Sequence, residues 1–275
     1  MKIILISTFK PFNIHYTIQQ RNSLESWKRL VCNPTIIIVG NDEGVADICK
    51  EYDIIHEPDV KLGPSGVPQF NDIFEKGWKY ATEYDICIYI NGDIILRNDL
   101  CHTLNAFVQK YPDYYNKTYL LTARRYDWIN FKPIDFNDSN WSNNFLTLIT
   151  EGSLSDPHSI DIFIHRKNTL RFLPESYVGS WNHDTVLLAY ACKYFDITIN
   201  ISKTCLIYHQ EDKFWINNKA YDRKENRPIK EEEIINLKLL DFKREIFGYD
   251  YDSHIGNCKF MSYFEDDSNI NFIQV

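Results

Sequence analysis

Asp93 is the residue on which a chemical reading of this chain first turns. It closes Asn91-Gly92-Asp93 within "ICIYINGDIILRND" (86–99), directly after an apolar, alternating run. A carboxylate there is costly unless it has a partner, and a divalent cation is one such partner. Oxygen donors, including those of a diphosphate, would complete the shell of a hard cation such as Mn2+ or Mg2+. The same tripeptide supports a plainer account. Asn-Gly between two apolar runs is the strongest short signal for a hairpin turn, and Asp93 would then merely follow the turn. The tripeptide by itself does not separate the two.

Other residues admit the same pair of readings. His209 ends the apolar stretch "TCLIYHQ" (204–210). A histidine there serves packing at a strand end, or it joins a carboxylate in binding a Mn2+-like ion. Asp184 follows "VGSWNH" near the start of a helical stretch. It can stabilise the helix through its dipole, or act as a general base on a hydroxyl within hydrogen-bonding reach. Arg124 and Arg125 close the strand-like "TYLLTARRYDW" and, with Arg21, are either surface charges or clamps for a diphosphate. Arg21 lies on a helix face, where solvated charge is the common case. Trp128, Trp141 and Trp181 fall in loop-like regions, as packing or as faces for a sugar ring.

Elements must position these groups, and the first half of the chain supplies them by alternating strand with helix. Lys2–Ser7 and Thr35–Gly40 are apolar runs suited to buried parallel strands. Between them Ile18, Leu24, Trp27, Leu30 and Val31 recur at helical spacing. A short helix from Val45, a strand near 53–55, a Pro- and Gly-rich loop over 58–68 and a helix over about 69–84 lead into "DICIYI". This alternation predicts right-handed crossovers and a mainly parallel sheet with helices on its faces. Ligands bind such sheets beyond the carboxyl ends of the strands. Ser7-Thr8-Phe9, Gly40–Gly44 and Asn91–Asp93 should therefore converge on one edge. In the second half, "SIDIFIHR" and "TCLIYHQ" read as strands and "NHDTVLLAYACKYF" as a helix. Beyond residue 210 one amphipathic helix is expected, from about Glu231 to Phe247 and ending at Gly248, in an otherwise irregular extension.

The 275 residues suffice for a substantial core, and the net charge of −8 argues against gripping a nucleic-acid backbone by bulk electrostatics. A small anion held by a metal ion and local donors stays compatible with that charge. Seven cysteines, without a CxxC pair and mostly within apolar stretches, read as free thiols of a reducing, cytoplasmic compartment. The apolar part of "MKIILIS" is too short for a signal peptide. No apolar run approaches the roughly 20 residues of a membrane span.

Seven segments then carry a resemblance: "IQQRNSLESW", "VGNDEGVADICKE", "GVPQFNDIFEKG", "YINGDIIL", "SIDIFIH", "HDTVLLAYA" and "IYHQ". In order and approximate spacing they are similar to a group of GT-A-fold glycosyltransferases found in bacteria and large DNA viruses. That group includes the amino-terminal domain of a chlorella-virus multidomain enzyme. The likeness runs from about Lys2 to His209. It implies a Rossmann-like GT-A domain over 1–210, with a nucleotide-sugar half (about 1–100) and an acceptor half (about 101–210). Residues 211–275 would pack on that domain as an extension. It implies a nucleotide-sugar donor, usually a UDP-sugar, with Mn2+ or Mg2+ on its diphosphate, and a hydroxyl of a glycan or other molecule as acceptor.

The resemblance also implies roles. Asn91-Gly92-Asp93 stands where the family has Asp-x-Asp, making Asp93 a direct metal ligand and leaving Asn91 to the ribose or a metal-bound water. His209 is the further ligand. Thr8, Phe9, Asp42 and Glu43 would border the base and ribose; Asn71, Asp72 and Arg124 would face the donor. Asp161 would lie near the transferred sugar or acceptor, and Asp184 would be the general base of an inverting transfer. This chain departs from the pattern at Asn91, at "HDT" where the family has "WDN", and beyond His209-Gln210. Two other classes stay open. A metal-dependent nucleotidyltransferase would need a phosphate-cradling glycine loop after the first strand, which "STFKPF" does not supply. A non-catalytic nucleotide- or glycan-binding module is kept open by Asn91.

Overall fold

Runs of β-branched residues become strands because their stiff side chains pack well on a pleated surface. In the computed structural model, which describes residues 2–130, 132–149, 152–179, 183–211, 231–247, 253–266 and 269–275, β1 (Ile3–Ser7) is buried at every position. It is followed by α1 (Thr17–Lys28), β2 (Thr35–Val39), α2 (Val45–Glu51), β3 (Ile55–Glu57), α3 (Phe70–Trp78) and β4 (Ile86–Ile90). The chain continues through β5 (Ile94–Ile95), α4 (Asp99–Lys110), β6 (Tyr119–Thr122), β7 (Arg125–Ile129), α5 (Trp141–Leu148), β8 (Ser153–Leu154) and β9 (Ile162–Arg166). It ends with α6 (His183–Tyr194), β10 (Ile197–Asn200), β11 (Ile207–Glu211), α7 (Glu231–Phe247), β12 (Phe260–Phe264) and β13 (Ile270–Gln274).

The expected mainly parallel sheet is present, in the order β13-β12-β10-β6-β9-β4-β1-β2-β3. β1 runs parallel to β2 and β4, and β10 runs parallel to β6 and β12. The exception at the centre is β9, from "SIDIFIHR", which is antiparallel to both β4 and β6. Successive strand residues face opposite sides, so two cores form. Leu5, Ile88 and Leu121 pack beneath α1, α2 and α4, while Ile6, Tyr89 and Phe163 pack beneath α3 and α6. A second, four-stranded sheet in the order β5-β11-β7-β8 takes the chain leaving β4 and sets it beside β11.

Two features differ from the sequence reading. The tail contains the expected α7, anchored where the Asn236 side chain exchanges hydrogen bonds of 3.0 Å with both backbone groups of Tyr177. It also adds β12 and β13, which extend the main sheet from β10. Both are five-residue strands; β13 pairs antiparallel with β12, and β12 docks parallel to β10, about sixty residues upstream, a pairing that local pattern does not carry. Cys32 and Cys101, 69 residues apart, form a disulfide that ties the segment after α1 to α4. The expectation of seven free thiols is corrected there; Cys49, Cys87, Cys205 and Cys258 are buried free thiols and Cys192 is partly buried. The expected stop at Gly248 lies outside the described residues. Among the described residues no helix is long and apolar enough to cross a membrane.

The second core encloses a titratable group. His165 of β9 is fully buried, its Nδ1 2.9 Å from the Arg166 carbonyl and its ring 5.3 and 5.8 Å from Phe74 and Trp78. Burial holds the imidazolium down to about 4 from the ordinary 6.5, against a smaller opposing effect of the Arg166 carbonyl. The unfolded chain therefore takes up this proton first. The stability that His165 contributes is complete above about pH 6.5 and falls as the pH drops towards 4, by about 3 kcal/mol. Urea midpoints measured between about pH 4 and 7 should show this slope. The variant His165→Leu should flatten it.

Candidate active site

Because β1, β2 and β4 are parallel, their carboxyl ends meet on one edge. A Cβ at Gly40, after β2, would sit 3.3 Å from Thr8 Oγ1, after β1. One at Gly92, after β4, would sit 2.8 Å from the Thr8 carbonyl and 2.6 Å from Phe9 Cδ1. The Asn-Gly hairpin is not formed. A type I′ turn needs positive φ at both central residues, and neither Asn91 nor Gly92 has it. β4 and β5 lie in different sheets. Gly92 is required by close approach to β1's end, not by its backbone angles.

β5 pairs antiparallel with β11, placing His209 opposite Ile94, and β11 pairs parallel with β7, placing His209 opposite Asp127. His209 Nε2 lies 3.6 Å from Asp93 Oδ2, and its Nδ1 lies 3.3 Å from Asp127 Oδ1. Arg125, on the same face of β7 as Asp127, donates to Asp127 Oδ1 at 2.8 Å and to Asp161 Oδ2 at 3.0 Å. Asp161 Oδ1 accepts from Asn91 Nδ2 at 2.6 Å. The result is an alternating row of charges, Asp93, His209, Asp127, Arg125 and Asp161, ending on Asn91.

The backbone of Asp93 is fixed independently. The Gln210 side chain donates to the Asp93 carbonyl at 3.1 Å, to the Gln19 carbonyl at 2.9 Å and to Ser23 Oγ at 3.1 Å. Its own carbonyl accepts from Asn22 at 2.9 Å and Asn130 at 3.3 Å. Trp27 Nε1 donates to the Ile94 carbonyl at 2.9 Å. Thus α1 holds the segment that carries Asp93.

Each charge shifts its neighbour. Burial alone would lower His209, but the charge of Asp93 and the contact with Asp127 raise it to about 9. Burial alone would raise Asp93, but His209 holds it below the usual carboxylate range. Asp127, opposed by burial in the same way, is brought down to about 2 by His209 and Arg125.

The arrangement fits a divalent cation. Asp93 Oδ1 is buried without a hydrogen-bond partner, an expense that needs a reason. The 3.6 Å between Asp93 and His209 is too long for a hydrogen bond. Two donors each about 2.1 Å from one ion lie at most about 4.2 Å apart, so both reach a shared cation. Among the described residues, no group of three or more His, Cys, Asp or Glu could hold a metal ion. Protein donors would therefore leave positions for exchangeable oxygens, as Mg2+ commonly does. His209 must release its proton to ligate.

Asp184 opens α6, partly accessible, with Oδ1 accepting from the Thr185 N–H at 2.7 Å. Burial raises its pKa, with His183 opposing and Asp161 adding to the rise. Helix capping and proton acceptance are both compatible with this setting. Thr8 Oγ1 is buried without a partner. The Phe9 ring is not at the edge: it is buried, stacked on Trp27 at 5.9 Å. The Glu43 carbonyl accepts from the Phe12 N–H at 2.8 Å, and burial raises the neighbouring Asp42.

Other expected residues are engaged elsewhere. Asn71 donates to the Leu173 carbonyl at 2.5 Å, and Asp72 accepts from the Lys61 N–H at 2.8 Å. Arg21 forms a two-pronged pair with Glu51, at 2.6 and 2.8 Å. Arg124 binds the Ser155 carbonyl, so the arginine in the charge row is Arg125. Trp128 packs on Phe145 and Trp141 on Phe136; Trp181 lies outside the described residues. Asp127 escaped the sequence reading. The Arg125-x-Asp127 alternation on one strand face was its only local signal.

No family model and no curated sequence matches the chain. Among solved structures, residues 1–349 of TarS from S. aureus, in complex with UDP-GlcNAc, give a TM-score of 0.52 at 12% identity. The match covers 92% of this chain and 68% of that one. A longer TarS structure gives 0.52 at 13%, over 92% of this chain but only 41% of that chain. Glucosyl-3-phosphoglycerate synthase of M. tuberculosis, with Mg2+ and UDP, gives 0.47 at 12%, over 100% and 87%. The architecture shared with TarS is the Rossmann-like GT-A fold.

The tight approach at Gly92 has a measurable consequence. In Gly92→Ala the new methyl meets the Thr8 backbone, which cannot swing aside, and a Phe9 ring pinned by Trp27. The denaturant midpoint should fall by the equivalent of about 1–3 kcal/mol. Mn2+ affinity, measured by titration calorimetry, should fall with it, because Asp93 is the next residue.

Proposed function

We propose that this chain is a metal-assisted glycosyltransferase that moves a sugar from a nucleotide-sugar, a UDP-sugar, to a hydroxyl of a glycan or other acceptor. The observation that carries this reading is the Asp93 carboxylate at the carboxyl edge of a GT-A sheet, with Oδ1 buried without a partner and Oδ2 facing His209 Nε2. The complex of TarS with UDP-GlcNAc on the same fold supports the choice of donor.

Asp93 and His209 would hold Mn2+ or Mg2+, with Asp127 orienting the imidazole from its other nitrogen. When bound, the cation supplies positive charge to the diphosphate as the sugar departs. Thr8, the Phe9 backbone, Asp42 and Glu43 would border the base and ribose. Arg125, Asn91 and the Gly92 backbone would line the diphosphate and sugar side, and Asn71, Asp72, Arg124 and Arg21 would act farther out. Asp184 would take the proton of the acceptor hydroxyl. Its raised pKa suits a base working near neutral pH better than an ordinary aspartate. Attack opposite the leaving nucleoside diphosphate inverts the anomeric centre.

A ligand that binds only the folded state raises its melting temperature. UDP-sugars should raise the melting temperature more with Mn2+ than without; no shift with any UDP-sugar would overturn the donor assignment. Turnover should release UDP, and release of pyrophosphate would instead identify a nucleotidyltransferase. Asp184→Asn should lower transfer by about 10²–10⁴-fold while donor affinity is held. Undiminished transfer would remove Asp184 from the role of base.

A further inference from the structure

The neutral residue at the first position of the motif is specified by its neighbour across the sheet. Ile90 of β4 pairs with Ile162 of β9, so the residues just beyond, Asn91 and Asp161, face one another. The Asn91 N–H donates to the Asp161 carbonyl at 3.2 Å, and Asn91 Nδ2 donates to Asp161 Oδ1 at 2.6 Å. The other end of the amide, Oδ1, accepts from the hydroxyl of Tyr89 at 3.1 Å. Asp161 Oδ2 accepts from Arg125 at 3.0 Å, and Asp161 is only 6% exposed. Both ends of the amide and both oxygens of the carboxylate are therefore in use.

An aspartate at position 91 could accept from Tyr89 equally well, but it could not donate to Asp161. It would replace a hydrogen bond by two carboxylate oxygens in contact, in surroundings with little water to separate them. We propose that Asn91 is required by Asp161, and that this pair, held by Arg125, supplies the negative charge that an Asp-x-Asp motif carries at its first position. The count of carboxylates beside the cation is kept; one of them has moved from β4's end to the start of β9. Asp161 is a positioning residue that acts through Asn91 and through its charge. The proposal rests on the reading of Asp93 as a cation ligand.

Charge relocation tests it, with Asn91→Asp, Asp161→Asn and the double variant. Without metal, Asn91→Asp should melt below the wild type. Adding Asp161→Asn should recover most of the loss, because the pair is then reversed and the amide on β9's side donates to the carboxylate on β4's side. Such non-additivity is the signature of direct coupling. Mn2+ alone, followed by electron paramagnetic resonance of the free ion, should bind Asp161→Asn about tenfold or more weakly. The double variant should restore that affinity, which a merely structural role for Asp161 would not produce. An Asn91→Asp variant as stable as wild type, with no dependence on residue 161, would overturn the requirement for asparagine. Undiminished Mn2+ binding by Asp161→Asn would overturn the moved charge. If Asp161→Asn does not fold, the melting temperatures of Asn91→Asp and the double variant decide. Failure of the wild type to bind Mn2+ would instead remove the cation reading on which the charge rests, and the metal-free coupling would then be judged alone.

Discussion

The pairing of Asp93 with His209 at the end of a buried sheet governs the rest of the molecule. Both groups are withdrawn from most of their water, and an isolated charge in that position costs several kcal/mol. The structure meets that cost by alternation. Asp93, His209, Asp127, Arg125 and Asp161 form a row in which every charge touches its opposite. The row carries one more carboxylate than cations, and the surplus ends at an unpartnered oxygen of Asp93. Divalent cation binding is the chemistry that such a surplus invites.

Charges at these separations need a rigid frame, since a displacement of about 1 Å would turn pairing into exposure. The frame is made of strands. β4 and β9 set Asn91 against Asp161, and β5, β11 and β7 set His209 between Asp93 and Asp127. The smaller sheet makes that second set of contacts, and α1 locks it to the main sheet through Trp27, Gln19, Asn22 and Ser23. Gln210 is the keystone, because its amide nitrogen has three acceptors within hydrogen-bonding distance and its carbonyl accepts from two donors, all contributed by three separate segments. A buried polar network this densely connected specifies one arrangement, where an apolar contact would tolerate several.

Local pattern carried the sheet and the meeting of its strand ends, because apolar runs such as "KIILIS" and "TIIIVG" have few other fates. It carried Asp93 and His209 as candidates because charged or titratable groups beside buried runs demand a partner, and Asp184 because a carboxylate near the start of a helix can serve as cap or base. It did not carry Asp127 or the choice of Arg125 over Arg124. Those depend on which strand lies beside β11 and on which face of β7 is turned towards it. Nor did it carry the Cys32–Cys101 bond or the docking of β12 on β10, whose partners are remote in the chain. Phe9 shows a further effect of tertiary packing. The resemblance placed it beside the base and ribose, whereas its ring is buried against Trp27, a contact set by the packing of α1.

Sequence by itself determined the alternation of strand and helix, the edge at which ligands could bind and the short set of residues able to do chemistry there. These follow from local periodicity and from the cost of burying charge. Tertiary structure alone decided that Asn91-Gly92 is not a hairpin, because β5 finds its partner in β11. It also decided that Asn91 answers to Asp161, a residue seventy positions away. The physical reason is common to both. Hydrogen-bond register between strands distant in sequence sets which polar groups meet, and no local stretch contains that information.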